Sequence, residues 1–321
     1  MTLTRRSACL AAFTLALAGP AAFAQAPLDL KITAPAGAGG GWDSTSRALQ
    51  QAMTASGAAK SVQVVNVPGA GGTVGLAQFV NTAKGDGHQL MMMGVTMVGA
   101  VLTNKSQVGL DQVTPIARLT QDALVVVVPA NSPFKTVKDL AAALKADTSK
   151  VVWAGGSAGG ADHILAGLIA RAAGGDAAKV NYVPFSGGGE ALAEMLGGRV
   201  SAGVSGYNEF ESQIKSGKLR ALGLSSGKRM AGVDVPTLKE QGLDVEFVNW
   251  RGIVAGPGIS PAQKAELAAA VSKAVKSDEW AKILKARGWE DFHADADTFA
   301  AFLKADQARV KEVLTSVGLV K

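Results

Sequence analysis

Short β-rich runs in this chain repeatedly end in glycine clusters that open straight into helical segments, at residues 34–49, 66–79, 153–169 and 182–196. Glycine lets the backbone take φ > 0 and approach a ligand closely, and the first N–H groups of the following helix have no partner within it. Aligned with the positive end of the helix dipole, those donors favour a carboxylate or a phosphate. One such turn is ordinary in an α/β protein. Two in each half of the chain point to a cleft in which opposed loops grip a small acid.

Between these junctions strands alternate with helices. Leu28, Leu30 and Ile32 alternate ahead of the first loop, and a helix over 43–54 follows, with Asp43 placed to cap it. Strands are predicted at 61–67 and 88–93 around a helix at 73–83. An apolar β-branched run at 124–128 stops at Pro129, and from Pro133 the helix and strand order starts again, ending in strands at 200–204 and 219–225. An extended run at 245–254 then leads to helices at 261–276, 278–287 and 296–317. This alternation predicts parallel strands joined by helices, with ligand sites outside the carboxyl ends of the strands. The N-terminal region has too few elements to close its own core, so the last helices are expected to return to it. The predicted division is residues 25–123 plus 246–321 as one lobe and 124–245 as the other. Crossings near 122–129 and 245–254 form a hinge.

Residues 1–24 read as an export signal: Arg5 and Arg6, an apolar stretch at 8–18, a Gly19-Pro20 breaker and a small-x-small end at Ala22-Phe23-Ala24. Cleavage after Ala24 and a periplasmic location are expected, by general secretion or by the twin-arginine route. Cys9, the only cysteine of the 321 residues, falls within this signal, so the mature chain is expected to carry no disulfide. The mature chain keeps 30 basic against 26 acidic side chains, a net charge of +4. That balance suits an anionic small molecule, and no basic stretch interleaved with aromatics marks a nucleic-acid surface. Some 297 mature residues exceed one comfortable core, in keeping with two lobes.

The segments APAGAGGGWDSTSRAL, NVPGAGGTVGLAQF, GGSAGGADHI, YVPFSGGGEALAEMLGGRV, SGKLRALGLSSGKR and NWRGIVAGPGISP resemble, in order, the successive blocks of the tripartite tricarboxylate transporter solute receptors, the Bug family. The resemblance implies a two-lobed periplasmic binding protein of type II, α/β, each lobe a mostly parallel sheet flanked by helices, with two crossing segments as hinge. It implies a small di- or tricarboxylate as ligand, a membrane permease of the same transporter as partner, and no cofactor, no metal and no chemistry. A monomer is expected, and a sensor-kinase ectodomain stays open as a further partner. The family holds one ligand carboxylate on backbone amides and waters of the first two loops, here 37–43 and 68–73. Trp42 and Trp250-Arg251-Gly252 resemble the tricarboxylate receptors more than the amino-acid-binding branch. Where the family often carries Tyr-Lys-Gly, this chain has Phe185-Ser186-Gly187, without the cation.

The candidate ligand residues are accordingly Gly40, Gly41, Trp42 and Asp43, then Gly71, Gly72 and Thr73, then Thr96 beyond the strand at 88–93. In the second lobe they are Ser157, Ala158, Gly159, Gly160 and His163, then Phe185, Ser186 and Gly187, then Tyr207 and Asn208. Several have plainer alternatives. Asp43 and Thr73 can serve as helix caps, Trp42 and His163 as packing residues, Tyr207 and Asn208 as an ordinary helix start, and Arg251 as half of a structural ion pair. A rival reading is a secreted serine esterase, because Gly155-Gly156-Ser157-Ala158-Gly159 fits G-x-S-x-G between a strand and a helix. Ser157, Asp234 or Asp244, and His293 fall in the hydrolase order, but no HGGG-type oxyanion motif accompanies them and His293 lies in an acidic stretch, 290–297, read as a solvated turn. Residues 223–229 and 69–74 miss the Walker and dinucleotide patterns, and three dispersed histidines lack metal-ligand spacing.

Overall fold

The computed structural model describes residues 28–185 and 188–321; residues 1–27, which include the stretch read as an export signal, and the Ser186-Gly187 pair lie outside the described residues. The first third of the chain runs β1 (Leu28–Ala34), α1 (Gly41–Ala55), β2 (Ala59–Asn66), α2 (Thr73–Thr82), β3 (Gln89–Gly94) and α3 (Val95–Thr103). β1 lies between β2 and β3, parallel to both, with Ile32 opposite Val64 and Leu90. Leu90 to Met93 of β3 are fully buried, as expected of a strand covered on both faces.

β4 (Thr114–Pro129) then leaves this sheet and enters a second one. The second sheet forms from α4 (Val137–Ala146), β5 (Val152–Gly155), α5 (Ala161–Ala172), β6 (Asn181–Pro184), α6 (Gly188–Leu196), β7 (Ala202–Gly206), α7 (Tyr207–Lys215) and β8 (Leu219–Leu224). Here β5 is the parallel neighbour of both β6 and β7, repeating the arrangement around β1. The chain returns through β9 (Val248–Ala255), antiparallel to β3 and β4, and finishes with α8 (Pro261–Val275), α9 (Asp278–Arg287), β10 (Glu290–Ala294) and α10 (Ala296–Ser316). The fold is a two-lobed α/β binding protein of type II. In each lobe a parallel triplet meets antiparallel partners supplied by the crossing strands.

The crossings are stitched together by Ser225. Fully buried, its hydroxyl donates to the Phe247 carbonyl at 2.6 Å and accepts the Leu124 N–H at 2.9 Å, while its backbone N–H donates to the Leu124 carbonyl. The two crossings are not the only link between the lobes. α10 starts on the first lobe, where Trp250 meets Phe299 and Phe302 edge-on and donates to Asp306 at 2.8 Å. It ends on the second lobe, where Ser316 accepts from Arg171 of α5 at 2.6 Å and Val317 closes over Gly167.

The stretch read as a solvated turn is also corrected. Glu290–Ala294 is β10, antiparallel to β4, with Phe292 against Phe302 and under the Arg118 guanidinium. Its five residues are too few and too polar to show a period on their own. α3 and the first half of β4 were missed as well: α3 is a short apolar run in which nothing separates strand from helix, and residues 114–122 mix polar and apolar side chains without a clear period.

Candidate functional site

The helices divide by how they begin. Those packed on the outside start from side-chain caps: Thr136 with Asp139 for α4, Ser260 with Gln263 for α8, Ser277 for α9 and Asp295 for α10. α1, α2, α3, α5 and α7 start from Gly40, Gly72, Gly94, Gly160 and Gly206, none of which supplies a side-chain cap. Four of these five glycines, all but Gly94, line one cavity of about 430 Å³ between the lobes. Four helices that open at the cavity, and α3 beside it, thus start without a side-chain cap from their own N-cap residue, whereas the four outer helices carry one.

In the first loop Asp43 sits in the first turn of α1, not at its cap. It accepts from Gly39 N–H at 2.9 Å, Asn66 at 2.9 Å and Arg47 at 3.1 Å. Burial raises its pKa, but the hydrogen bonds from Arg47, Gly39 and Asn66 outweigh this and hold the carboxyl below the usual aspartate range. In the second loop Gly69, Ala70, Gly71 and Gly72 all have positive φ, at 137°, 47°, 64° and 90°. Ala70 is a non-glycine residue held there, the kind of local strain that collects at binding sites. A Cβ on Gly72 would lie 2.7 Å from the Trp42 ring and 2.9 Å from the Met97 methyl, so this glycine is required by packing beneath the loop.

The second lobe brings up the third loop. The Asp162 carboxylate, two residues into α5, accepts the Gly156 N–H at 2.7 Å, and the Tyr182 hydroxyl donates to the Gly156 carbonyl at 2.7 Å. His163 accepts the Gly159 N–H at 3.2 Å and stacks on Tyr182 with centroids 4.1 Å apart. Burial drives its pKa down to about 4, so it is a neutral loop support. Across the cleft Thr96 Oγ1 accepts the Ala161 N–H at 3.3 Å, joining the lobes at the cavity edge.

The cavity floor holds charges. Arg251 of β9 lines it and contacts Asp122 of β4 at 3.0 Å, each side chain only 3% exposed. The contact is an ion pair without good alignment: both Asp122 oxygens and Arg251 Nη1 lack a hydrogen bond. Burial lifts Asp122 to about 6 against the pull of Arg251. Burial likewise lifts Asp162 to about 7, opposed by the Gly156 hydrogen bond and reinforced by the charges of Glu209 and Asp122.

Of the residues singled out from the sequence, Gly40, Gly41, Trp42, Gly71, Gly72, Thr96, Ser157, Ala158, Gly160 and Phe185 line this cavity. Asp43, Thr73, Gly159, His163, Tyr207 and Asn208 do not: Asp43, His163 and Gly159 brace loops, and Thr73 bonds the Ala70 carbonyl at 2.9 Å. The sequence reading missed Asp162, Glu190 and Glu209 as cavity residues, and left Arg251 between ligand contact and ion pair. The esterase constellation is not assembled around Ser157. Asp234 pairs with Arg229 at 3.7 Å, Asp244 with Lys239 at 3.6 Å, and His293 lies on β10; none lines the cavity.

Comparison with known proteins agrees with this architecture. BugT of Bordetella pertussis is 27% identical over 328 residues, 99% of each chain. MatC of Rhodopseudomonas palustris, solved with bound malate, is 25% identical with a TM-score of 0.79 over 90% of this chain and 99% of its own. The periplasmic binding protein BugD superposes with a TM-score of 0.81 at 24% identity, over 91% of this chain and 98% of its own. A family model described as the tripartite tricarboxylate transporter family receptor matches residues 45–319. The chain belongs to that receptor family, the Bug solute-binding proteins.

Proposed function

We propose that this protein is a periplasmic receptor that closes on a small organic acid, in the di- or tricarboxylate class, and delivers it to a tripartite tricarboxylate-type membrane permease without chemically altering it. The observation that carries this reading is the convergence of uncapped helix starts, with the buried Arg251 guanidinium, on one cavity between lobes. Backbone N–H groups at Gly40 to Trp42 and at Gly71 to Thr73 would hold one carboxylate, with Trp42 as a wall and Ser157 to Gly160 facing it from the second lobe. The lobes are residues 25–123 plus 246–321 and residues 124–245, hinged at β4 and β9. The bound malate of the MatC relative supports an acid of this size.

A ligand present at 100 times its dissociation constant stabilises the fold by about 2.7 kcal/mol. For a chain of this length that corresponds to a rise in Tm of roughly 5 °C or more. Thermal-shift screening of the mature protein against di- and tricarboxylates, amino acids and aromatic acids is expected to find at least one such acid. A flat response across the panel would remove the reading.

A further inference from the structure

Arg251 reaches the cavity from β9 with its two terminal nitrogens in different surroundings. A Cβ on Gly41 would lie 2.8 Å from Nη2, so one end of the guanidinium rests against the first turn of α1. Nη1 faces Asp122 Oδ1 at 3.0 Å. Asp122 lies outside the cavity lining, behind Arg251 on the crossing strand β4. Its other oxygen points toward Gly206 of β7, where a Cβ would lie 2.8 Å from Oδ2. An aspartate that aimed this guanidinium at a ligand would hold it through paired N–H donors, the usual fork of arginine on a carboxylate. Here neither Asp122 oxygen has an aligned hydrogen bond, and Nη1 has none either, although both side chains are only 3% exposed. What links the two is attraction of charge at close range.

That charge bears on the ligand. A carboxylate at the start of α1 is attracted by Arg251 and repelled by an ionised Asp122 just behind it, in a medium that screens poorly. Resting on the carboxylate-receptor reading above, we propose that Asp122 is a counterweight to Arg251: ionised, it weakens the cavity's grip on the acid, and a proton taken up by Asp122 strengthens that grip. Asp122 acts on the ligand only through the charge that Arg251 presents. The surroundings favour such a proton, because burial lifts the Asp122 carboxyl to about 6 against the pull of Arg251, with the charge of Glu209 adding to the rise. The charged groups that face it are Arg251 of β9, Glu209 of α7 and Asp162 of α5. Arg287, at the end of α9, adds positive charge behind Arg251; the two guanidiniums lie over the Trp289 ring at 5.0 and 5.3 Å. By reciprocity, an acid that prefers the protonated form raises the affinity of Asp122 for its proton, so the acid and a proton bind together.

Asp122→Asn removes the charge and keeps the shape. Calorimetric titration of the mature wild type and of the variant with malate, succinate, glutarate and citrate, at pH 5 and at pH 8, gives the ratio of their affinities for each acid that binds. Titration of the acids themselves, and of Asp162, is common to both proteins and drops out of that ratio. At pH 8 the variant is expected to bind about tenfold more tightly than wild type, an ordinary size for coupling between two sites. At pH 5, where Asp122 of the wild type carries its proton, the two should bind nearly equally. A variant that binds no more tightly at pH 8, or an advantage of the same size at both pH values, would overturn the proposal and leave the receptor reading intact. Proton counting on wild type needs no variant, should circular dichroism show that Asp122→Asn does not fold. Titrations near pH 6 in buffers of different ionisation enthalpy are expected to show net proton uptake on binding, and none, or a release, would overturn the proposal. Failure of all four acids to bind wild type at either pH would instead strike the receptor reading itself, and the proposal with it.

Discussion

Asp162 illustrates how one residue can serve both structure and site. It fastens Gly156 from the start of α5 and presents its remaining surface to the cavity. Its folded pKa of about 7 lies above the ordinary 3.8, so the folded state holds the extra proton between those values and stability falls as pH rises through that window. Asp122, lifted to about 6, acts in the same direction, whereas His163, depressed to about 4, favours the folded state as pH rises toward 6.5. Comparison with Asp162→Asn cancels the histidine, because the amide oxygen can still accept from Gly156. Wild type is expected to lose melting temperature relative to the variant as pH rises from about 4 to about 7. A gap between the two that ignores pH would contradict a raised carboxyl. Gly72 teaches the reverse lesson. The sequence reading lists it among the ligand residues, but Trp42 and Met97 occupy the space where its Cβ would lie, so Gly72→Val destabilises the empty protein as well as the site.

At the scale of elements, what the sequence made legible was punctuation. Glycine followed by a helix pattern located the loops at 37–41, 69–72 and 156–160, because positive φ and uncapped N–H groups are written in local residue types. The acids at the cavity were illegible for the opposite reason. Asp122 sits mid-strand, Asp162 opens one helix and Glu209 another, and only the packing of β4, α5 and α7 brings them together. Ser225 was hidden too, read merely as the end of a strand. Its hydroxyl serves both crossings, so Ser225→Ala would strand the buried Leu124 N–H and Phe247 carbonyl of side-chain partners. The expected cost is about 1–3 kcal/mol. Chemical denaturation would measure it, and a variant as stable as wild type would show that the crossings do not depend on this hydroxyl.

For the whole molecule, the two lobes meet where α3 touches the third loop. Gly99 lies so near Gly159 that a Cβ would stand 2.1 Å from its carbonyl oxygen. Gly99→Ala is therefore expected to hold the lobes apart while sparing each lobe, since alanine is the better helix former. Affinity for whichever acid binds wild type should fall, and small-angle scattering at saturation should give a larger radius of gyration than wild type. Equal radii and equal affinity would mean that this contact does not limit closure. The chain order adds a matter of timing. β3 gains its second neighbour only when β9 is made, more than 150 residues later. At synthesis rates of about 5–20 residues per second, that is a wait of roughly 10–30 s. Throughout it the apolar edge from Leu90 to Met93 has β1 on one side and nothing on the other, which leaves it open to wrong pairing while the protein is being made.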